Sequence, residues 1–492
     1  MAISVETFFL DPTHEGTLQQ QLQQIVAAGI LSGRYRAGEK LPSSRGLAQH
    51  LGISRITVTL AYTELVANDY LSSRGRSGYF VSENAPRLPV YDQPRSEPGD
   101  EVDWNRAFGQ RFSAYIPVLR PADWRRYPYP FIYGQTDLKL FDHQNWRLCA
   151  LQALGQKDFE SMTADQYESD DPKLIEFIVR HILPRRGITA RPEQVLLTLG
   201  AQNALWLTSQ LLLNQRRTAV METPCYPALR EILAQTRCNP VAIPVDEEGL
   251  APSRIPAGTD VVFTTPSHQS PTNATMPLAR RKALLEAARR EGFLIVEDDY
   301  EFEMSFLNRP SPALKSLDQS GRVIYIGSFS KAIFPGLRLG YLVGSETFIQ
   351  EARALRGLVL RHPPGHIQRT VAYFLSLGHF DAQIARMSRA YAERRKVMEE
   401  AIALHGLTVA GPSAIGGSSL WMRAPARIDT MKLAERLRSQ GVLIEPGRAF
   451  FGAEDETRNF YRLAYSSIPS ERIAEGIGKI GAMLNNQNLD LS

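Results

Sequence analysis

The sequence has few cysteines and no long hydrophobic run. Its three cysteines (Cys149, Cys225 and Cys238) have no metal-ligand spacing, and an odd number argues against a disulfide framework. No apolar stretch approaches the roughly 20 residues that a membrane helix needs. The first residues lack the basic and apolar segments of a signal peptide. These absences predict a cytoplasmic protein that has neither a membrane segment nor a metal site.

The chain also lacks a strong excess of either charge. The formal net charge of +4 over 492 residues is too small to identify a polyanionic partner, so nucleic-acid binding has to be argued locally. An apolar content of 43% and a charged content of 22% are typical of globular proteins. The length exceeds that of one hydrophobic core and predicts two or three domains.

Residues 1–82 are predicted to form a small domain. "GTLQQQLQQIVAAGILSG" has apolar residues at helical spacing, and "LPSSRGLAQHLG" predicts a short helix capped by Ser43 or Ser44 and closed by Gly52. "ISRITVTLAYTELVANDY" predicts a third helix, and "LSSRGRSGYFV" a hairpin. Three helices with a tight turn, followed by a hairpin, indicate a winged helix-turn-helix.

Residues 34–81 carry seven Lys or Arg against three Asp or Glu, a balance that suits phosphate contacts. The first residues of the third helix are expected to meet base edges, and the hairpin to enter a minor groove. The alternative is a helical packing module with a solvated charged face. The candidate DNA-binding residues are Ser43, Arg45, Ser54, Arg55, Thr57, Arg74, Arg76 and Gly78.

Residues 83–128 are rich in Pro, Ser and charge and are predicted to be a linker. From residue 129 to 492, short apolar runs alternate with helical patterns, which predicts a mostly parallel sheet covered by helices. Shorter strands near the end predict a small α+β subdomain over about 375–492.

The stretch "GSFSKAIFPGLRLGYLV" places Lys331 behind small hydroxyl residues and seven positions before Arg338. Serines and an arginine are suited to a phosphate, and a lysine beside an anchored phosphate suggests a Schiff base with pyridoxal phosphate (PLP).

Other polar residues follow predicted strands, where ligands gather in such sheets. Ala201 and Gln202 come at a helix start, which favours phosphate. Tyr226 is suited to stack on a flat ring, and Asp298 to hold a pyridine nitrogen protonated. Each residue alone has an ordinary explanation, as a turn, rim or surface residue. Their order at strand ends favours a cofactor site.

The chain resembles the MocR/GabR family of bacterial regulators, in which a GntR-type winged helix is joined to a fold-type I, class I/II aminotransferase-like domain. The markers are "LPSSRGLAQHLGISRITVTLAY", "YGQTDLKLFDHQNWR", "PSHQSPTNATM", "IVEDDYEFE" and the Lys331 segment. The resemblance implies PLP bound to Lys331 as an internal aldimine, and an effector acid group bound by Arg462. The implied cofactor-binding residues are Ala201, Gln202, Tyr226, His268, Asp298, Tyr300, Ser328, Ser330, Lys331 and Arg338.

The resemblance further implies a homodimer that binds double-stranded operator DNA and senses a small amino compound, with RNA polymerase as a candidate partner. Three positions depart from the family pattern: Ser270 replaces an asparagine, Asn273 a glycine and Ser419 a histidine. The first two favour sensing over full transaminase turnover. Two alternatives stay open: a working aminotransferase with an accessory domain, and a regulator that senses PLP itself to control vitamin B6 synthesis.

Overall fold

A computed structural model describes residues 2–14, 16–86, 102–113, 120–165, 167–307, 311–412, 416–452, 455 and 457–485. The chain divides into two compact units, Met1–Gly109 and Gln110–Ser492. Among the helices in these ranges, none combines the length and apolar character needed to cross a membrane.

The first unit contains three helices and a hairpin, and each helix begins at a side-chain cap. Thr17, Ser43 and Ser54 accept hydrogen bonds from backbone N–H groups in the first helical turns. The predicted winged helix-turn-helix is confirmed. Its elements are α1 (Leu18–Leu31), α2 (Ser44–Leu51), α3 (Arg55–Ala67), β1 (Leu71–Ser73) and β2 (Tyr79–Val81), and a short helix α4 (Trp104–Ala107) follows.

The core of this unit forms because α1 and α3 each present one apolar face to the other elements. Val58, Tyr62 and Leu65 of α3 are buried against Leu22 and Val26 of α1. β1 and β2 pair antiparallel, with Leu71 opposite Val81. This packing leaves the opposite face of α3 to solvent.

In the described residues, the second unit contains a seven-stranded sheet, a four-stranded sheet, a two-stranded pair and the helices that cover them. Its helices are α5 (His143–Ala153), α6 (Gln156–Thr163), α7 (Pro172–Phe177), α8 (Gly200–Leu212), α9 (Pro227–Thr236), α10 (Leu278–Glu291), α11 (Leu314–Leu317), α12 (Glu346–Leu360), α13 (Gly365–Ser376), α14 (His379–Leu404), α15 (Thr430–Ser439) and α16 (Ser470–Asn485). Its strands are β3 (Tyr129–Pro130), β4 (Val195–Thr198), β5 (Thr218–Thr223), β6 (Asn239–Pro244), β7 (Val261–Thr264), β8 (Leu294–Asp298), β9 (Val323–Ser328), β10 (Gly340–Val343), β11 (Thr408–Val409), β12 (Ser419–Arg423), β13 (Val442–Leu443), β14 (Glu445–Pro446) and β15 (Phe460–Ala464).

The large sheet has the order β4-β10-β9-β8-β7-β5-β6. β10 runs antiparallel to β4 and β9, and the pairs between β9 and β6 are parallel. The carboxyl ends of β4, β5, β7, β8 and β9 therefore meet at one edge, and β10 begins there. The residues that follow these strands are brought together at this edge.

Two strands of this sheet did not stand out in the sequence. β6 contains Pro240 and Pro244, which lack the N–H group that a central strand needs, and it lies at the sheet edge where proline is tolerated. β10 is only four residues long and its first residue, Gly340, lies between Thr198 and Ser328.

The smaller sheet, of order β11-β12-β15-β14, belongs to the C-terminal part of the chain. Its core also includes Tyr129 and Phe131, because β3 pairs parallel with β13. The chain segment around residue 130 thus contacts the C-terminal subdomain before it enters the large sheet.

Candidate functional site

A cavity of about 410 Å³ opens at the carboxyl edge of the large sheet. It collects residues from nine separate chain segments, as expected for a sheet of this topology. Nearly all of the cofactor and effector residues predicted from the sequence line it: Ala201, Gln202, Tyr226, Asp298, Tyr300, Ser328, Ser330, Lys331, Arg338 and Arg462.

Lys331 lies in the loop after β9, and its Nζ atom is 4.1 Å from the ring centroid of Tyr133. Burial lowers the pKa of this amine to about 7, and the nearby positive charge of Arg120 acts in the same direction. A neutral amine is the form that acts as a nucleophile. A large fraction of Lys331 is therefore in the neutral, nucleophilic form near neutral pH.

Gly134 makes room for this lysine. Its backbone has a φ of +70°, and a Cβ atom at this position would overlap Nζ of Lys331. Gly134 belongs to the "YGQTD" segment. The glycine in that motif leaves the space that Nζ of Lys331 occupies.

Asp298, the last residue of β8, is half-buried, and its Oδ1 atom is buried with no hydrogen-bond partner in the described residues. Burial, followed by the charges of Asp299 and Glu222, raises its pKa to about 7. Asp299 is already paired with Arg186, at 2.6 Å between Oδ2 and Nε. Asp298 consequently faces the cavity as an acceptor that a cationic N–H group would stabilise.

One end of the cavity is suited to a phosphate. The helix α8 begins here without a side-chain cap, so its first N–H groups and the positive end of its dipole face the cavity near Ala201 and Gln202. The Oγ atom of Ser330 is buried and has no partner among the described atoms. Arg338 donates from Nη2 to the carbonyl of Leu199, at 3.1 Å.

Tyr226 lies at the mouth of the cavity with 36% of its surface exposed. Its hydroxyl donates to Oε1 of Gln202, at 3.2 Å. The ring is thus held beside α8, where it is able to cover one face of a flat ligand.

His268 does not line the cavity. Its ring packs against Tyr300 with a centroid distance of 6.3 Å, and its Nε2 atom is 3.3 Å from Oε2 of Glu301. Burial lowers the pKa of His268, which favours the neutral ring. Seen from the cavity, His268 therefore lies behind Tyr300.

The three positions that depart from the family pattern lie close to this site. Ser270 lines the cavity directly. Asn273 adopts a φ of +65°, a region that asparagine tolerates better than most residues, and its Nδ2 atom donates to the carbonyl of Ser419 at 2.7 Å. The asparagine thereby keeps the backbone shape for which a glycine is otherwise suited.

Arg462 lies on β15 directly opposite Glu445 of β14. Its Nε atom donates to Oε2 of Glu445 at 2.8 Å, and its Cζ atom is 4.0 Å from the ring centroid of Tyr133. Because Lys331 contacts the same ring, Nζ of Lys331 and Cζ of Arg462 are at most about 8 Å apart. One small molecule is therefore able to place an amine at Lys331 and an acid group at Arg462.

Among the residues of this site that sequence reasoning missed are Arg120, Tyr133, Gly134, Glu445 and Phe450. Tyr133 and Gly134 stand in a motif whose role was not assigned. Arg120 lies in the segment predicted to be a linker, and its local sequence gives no signal for a cavity residue.

In the first unit, the candidate DNA-binding residues lie at the starts of two helices and in the hairpin. Ser43 and Ser54 act as helix caps, and Arg45 and Arg55 are exposed beside them. Arg74 stacks on Phe80 at 4.6 Å. Sequence reasoning did not single out Ile56, which is 72% exposed on the first turn of α3.

The comparisons with known proteins agree with both units. Residues 18–81 match the family described as bacterial regulatory proteins, gntR family, and residues 142–480 match aminotransferase class I and II. The HTH-type transcriptional regulator TauR of Rhodobacter capsulatus is 57% identical over 98% of this chain and 100% of its own. The probable rhizopine catabolism regulatory protein MocR of Rhizobium meliloti is 30% identical over 96% of this chain and 94% of its own.

Among solved structures, the second unit resembles LysN, the alpha-aminoadipate aminotransferase of Thermus thermophilus, in complex with N-(5'-phosphopyridoxyl)-L-leucine. The TM-score is 0.69 with 28% identity, and the match covers 78% of this chain and 98% of LysN. The chain therefore belongs to the MocR/GabR family of transcriptional regulators, in which a GntR-type winged helix-turn-helix is joined to a class I and II aminotransferase domain.

Proposed function

We propose that this regulator binds PLP through Lys331, senses an amino compound with an acid group, and changes its affinity for operator DNA in response. The observation that carries the proposal is the shared cavity of Lys331, Asp298 and Arg462. These residues supply a nucleophilic amine, an acceptor for a cationic N–H group and a cation for an acid. The winged helix in the same chain would supply the response, which is a change in affinity for operator DNA.

The residues of the cavity fit PLP. The unpartnered Oδ1 of Asp298 suits a protonated pyridine nitrogen, and the unpartnered Oγ of Ser330 suits a phosphate oxygen. Ser328, Arg338 and the first N–H groups of α8 would complete the phosphate site, while Tyr226 and Tyr300 would hold the ring. When bound, PLP supplies a carbon that accepts amines and a ring that withdraws electrons.

The protein's own groups then perform three tasks. Lys331 would bind the cofactor and release it to an incoming amine, Asp298 would keep the ring nitrogen protonated, and Arg462 would orient the acid group of the effector. The planar guanidinium of Arg462 is suited to a carboxylate or a sulfonate. The cavity is thus specific for molecules that carry an amine and an acid.

Effector binding in the cavity and DNA binding at the winged helix would be linked by a coupling free energy. Binding at one of these sites would then change the affinity at the other. We propose that it acts in a cytoplasmic homodimer. Ser43, Arg45, Ser54, Arg55, Thr57, Arg74, Arg76 and Gly78 would contact the operator.

The test is a titration of operator binding with PLP alone and then with PLP and a panel of amino acids, polyamines and sulfonates. The operator is first selected from random duplexes by the full-length protein. We expect no large change with PLP alone and a change with one class of amino acid or aminosulfonate. A full response to PLP alone would favour a PLP sensor, and steady turnover of an amino acid with a 2-oxo acid would favour an aminotransferase.

Lys331→Ala provides the control for the cofactor step. The substituted protein should fold and lose both the visible absorbance of bound PLP and the response to the effector. Unchanged absorbance in the purified variant would contradict the role of Lys331.

A further inference from the structure

The carboxylate of Glu445 is shared by two arginines. Its Oε2 atom accepts from Nε of Arg462 at 2.8 Å, and its Oε1 atom accepts from Nε of Arg120 at 3.0 Å. The Glu445 side chain is fully buried. Burial alone would raise its pKa, but the two guanidinium groups outweigh this effect and keep the pKa of Glu445 below its ordinary value. The cluster is therefore two cations on one carboxylate.

This cluster leaves one positive charge uncompensated at the end of the cavity. Both Arg120 and Arg462 line the cavity, and both use only Nε for Glu445. In the described part of the chain, the Nη atoms of neither arginine make a hydrogen bond. A buried or half-buried guanidinium is stabilised when its remaining N–H groups meet an anion. The Arg120 side chain is 30% exposed, so a ligand is able to reach it.

Arg120 also has a distinctive place in the chain. Arg120 lies in the second unit, which begins at Gln110, but outside the large sheet. Its contact with Glu445 spans 325 residues. Arg120 and Arg462 therefore reach the cavity from distant parts of the sequence.

Building on the proposed function, we infer that the acid group of the effector is held by two guanidinium groups, Arg462 and Arg120. Arg462 would bind the acid from β15, and Arg120 would bind it from the segment that precedes β3. The ligand class is a small molecule with one amine and one carboxylate or sulfonate.

The experiment uses the full-length protein loaded with PLP and a series of ω-amino acids and ω-aminosulfonates with one to three methylene groups, each carboxylate paired with its primary amide. Binding to the second unit is followed by the absorbance of bound PLP, and the response by operator affinity at saturating compound. Arg120→Ala is compared with Arg120→Lys, which keeps the charge, and with Arg126→Ala, which removes an exposed arginine from the same segment.

We expect Arg120→Ala to reduce the preference for acid over amide by roughly ten- to a hundredfold, since it removes a charge-assisted contact. Arg126→Ala should keep the acid preference of the unsubstituted protein. Arg120→Lys should recover part of this preference, which separates a lost contact from a folding defect.

An unchanged acid preference in Arg120→Ala would mean that Arg120 only neutralises Glu445, and the inference would be overturned. If the unsubstituted protein responded to no compound of the series, the proposed function would fail, and this inference with it.

Discussion

The Nζ atom of Lys331 occupies the space that a side chain at Gly134 would need. The glycine comes from the loop after β3 and the lysine from the loop after β9. Their contact fixes where the reactive amine lies relative to Asp298 and Arg462.

Gly134→Ala should therefore displace Lys331 and weaken the retention of PLP. The positive φ of +70° adds about 1–2 kcal/mol of backbone strain for a residue with a Cβ atom. Gly258→Ala is the matched control, because Gly258 has a φ of +80° and no atom within 4 Å of the added Cβ. Equal PLP affinity in the two variants, measured by equilibrium dialysis, would contradict the steric role of Gly134.

The lowered pKa of Lys331 predicts how PLP binding depends on pH. An amine with a pKa of about 7 is about one-tenth neutral at pH 6 and about nine-tenths neutral at pH 8. The initial rate of PLP attachment to the PLP-free protein should rise about tenfold over this interval and then level off. An amine with the ordinary pKa of 10.5 would instead give about a hundredfold rise without a plateau. Stopped-flow absorbance distinguishes the two profiles.

Asp298→Asn should have opposite effects on the PLP-free and PLP-bound protein. In the PLP-free protein, Asp298 has a folded-state pKa of about 7, above the ordinary value of 3.8, chiefly because of burial. Between these values the folded protein binds more protons than the unfolded protein, so the contribution of Asp298 to stability falls as pH rises. The PLP-free Asn variant should therefore gain in Tm relative to the original protein from about pH 4 to pH 7.

The same variant should bind PLP more weakly, because a neutral amide does not stabilise a protonated pyridine nitrogen. Calorimetry with and without PLP, over a series of pH values, tests both the gain in Tm of the PLP-free variant and its weaker binding of PLP. A Tm difference that is constant with pH would show that Asp298 is paired by another group.

Arg462→Lys keeps a positive charge beside Glu445 but loses the two-pronged geometry of the guanidinium. The dissociation constant for the effector should rise roughly ten- to a hundredfold, which corresponds to about 1.5–3 kcal/mol for a charge-assisted contact. Arg458→Ala, which removes an exposed arginine from the same part of the chain, is the control. A response of Arg462→Lys and Arg462→Ala at the original effector concentration would exclude this role and favour an effector without an acid group.

Arg55→Ala should weaken operator binding by about 1–3 kcal/mol if Arg55 makes a bidentate base contact. Arg55 is the first residue of α3 and is exposed, with Nε 3.4 Å from Oγ of Ser44. The PLP content should stay the same, since Arg55 and the cavity belong to different units. An equal loss of affinity for operator and random DNA, measured by fluorescence anisotropy, would identify Arg55 as a phosphate contact instead.

Several features of this protein could be predicted because they depend on neighbours in the sequence. Ser43 and Gly52 delimit α2 through a side-chain cap and a left-handed residue, both of which are local. Lys331 and Asp298 follow apolar runs that form parallel strands, and parallel strands bring their carboxyl ends to one edge. Local pattern and sheet topology together were enough to predict that Lys331 and Asp298 lie in one cavity.

The end of the cavity that contains Arg462 and Arg120 was decided only by the tertiary structure. Glu445 meets Arg462 because β14 and β15 pair in one register, and it meets Arg120 across 325 residues of sequence. His268 stands in a motif with the cofactor residues, yet it packs behind Tyr300. Hydrophobic periodicity and capping residues determine which helices and strands form. Which side chains share a buried carboxylate depends instead on how distant elements pack, and no local sequence pattern carries that information.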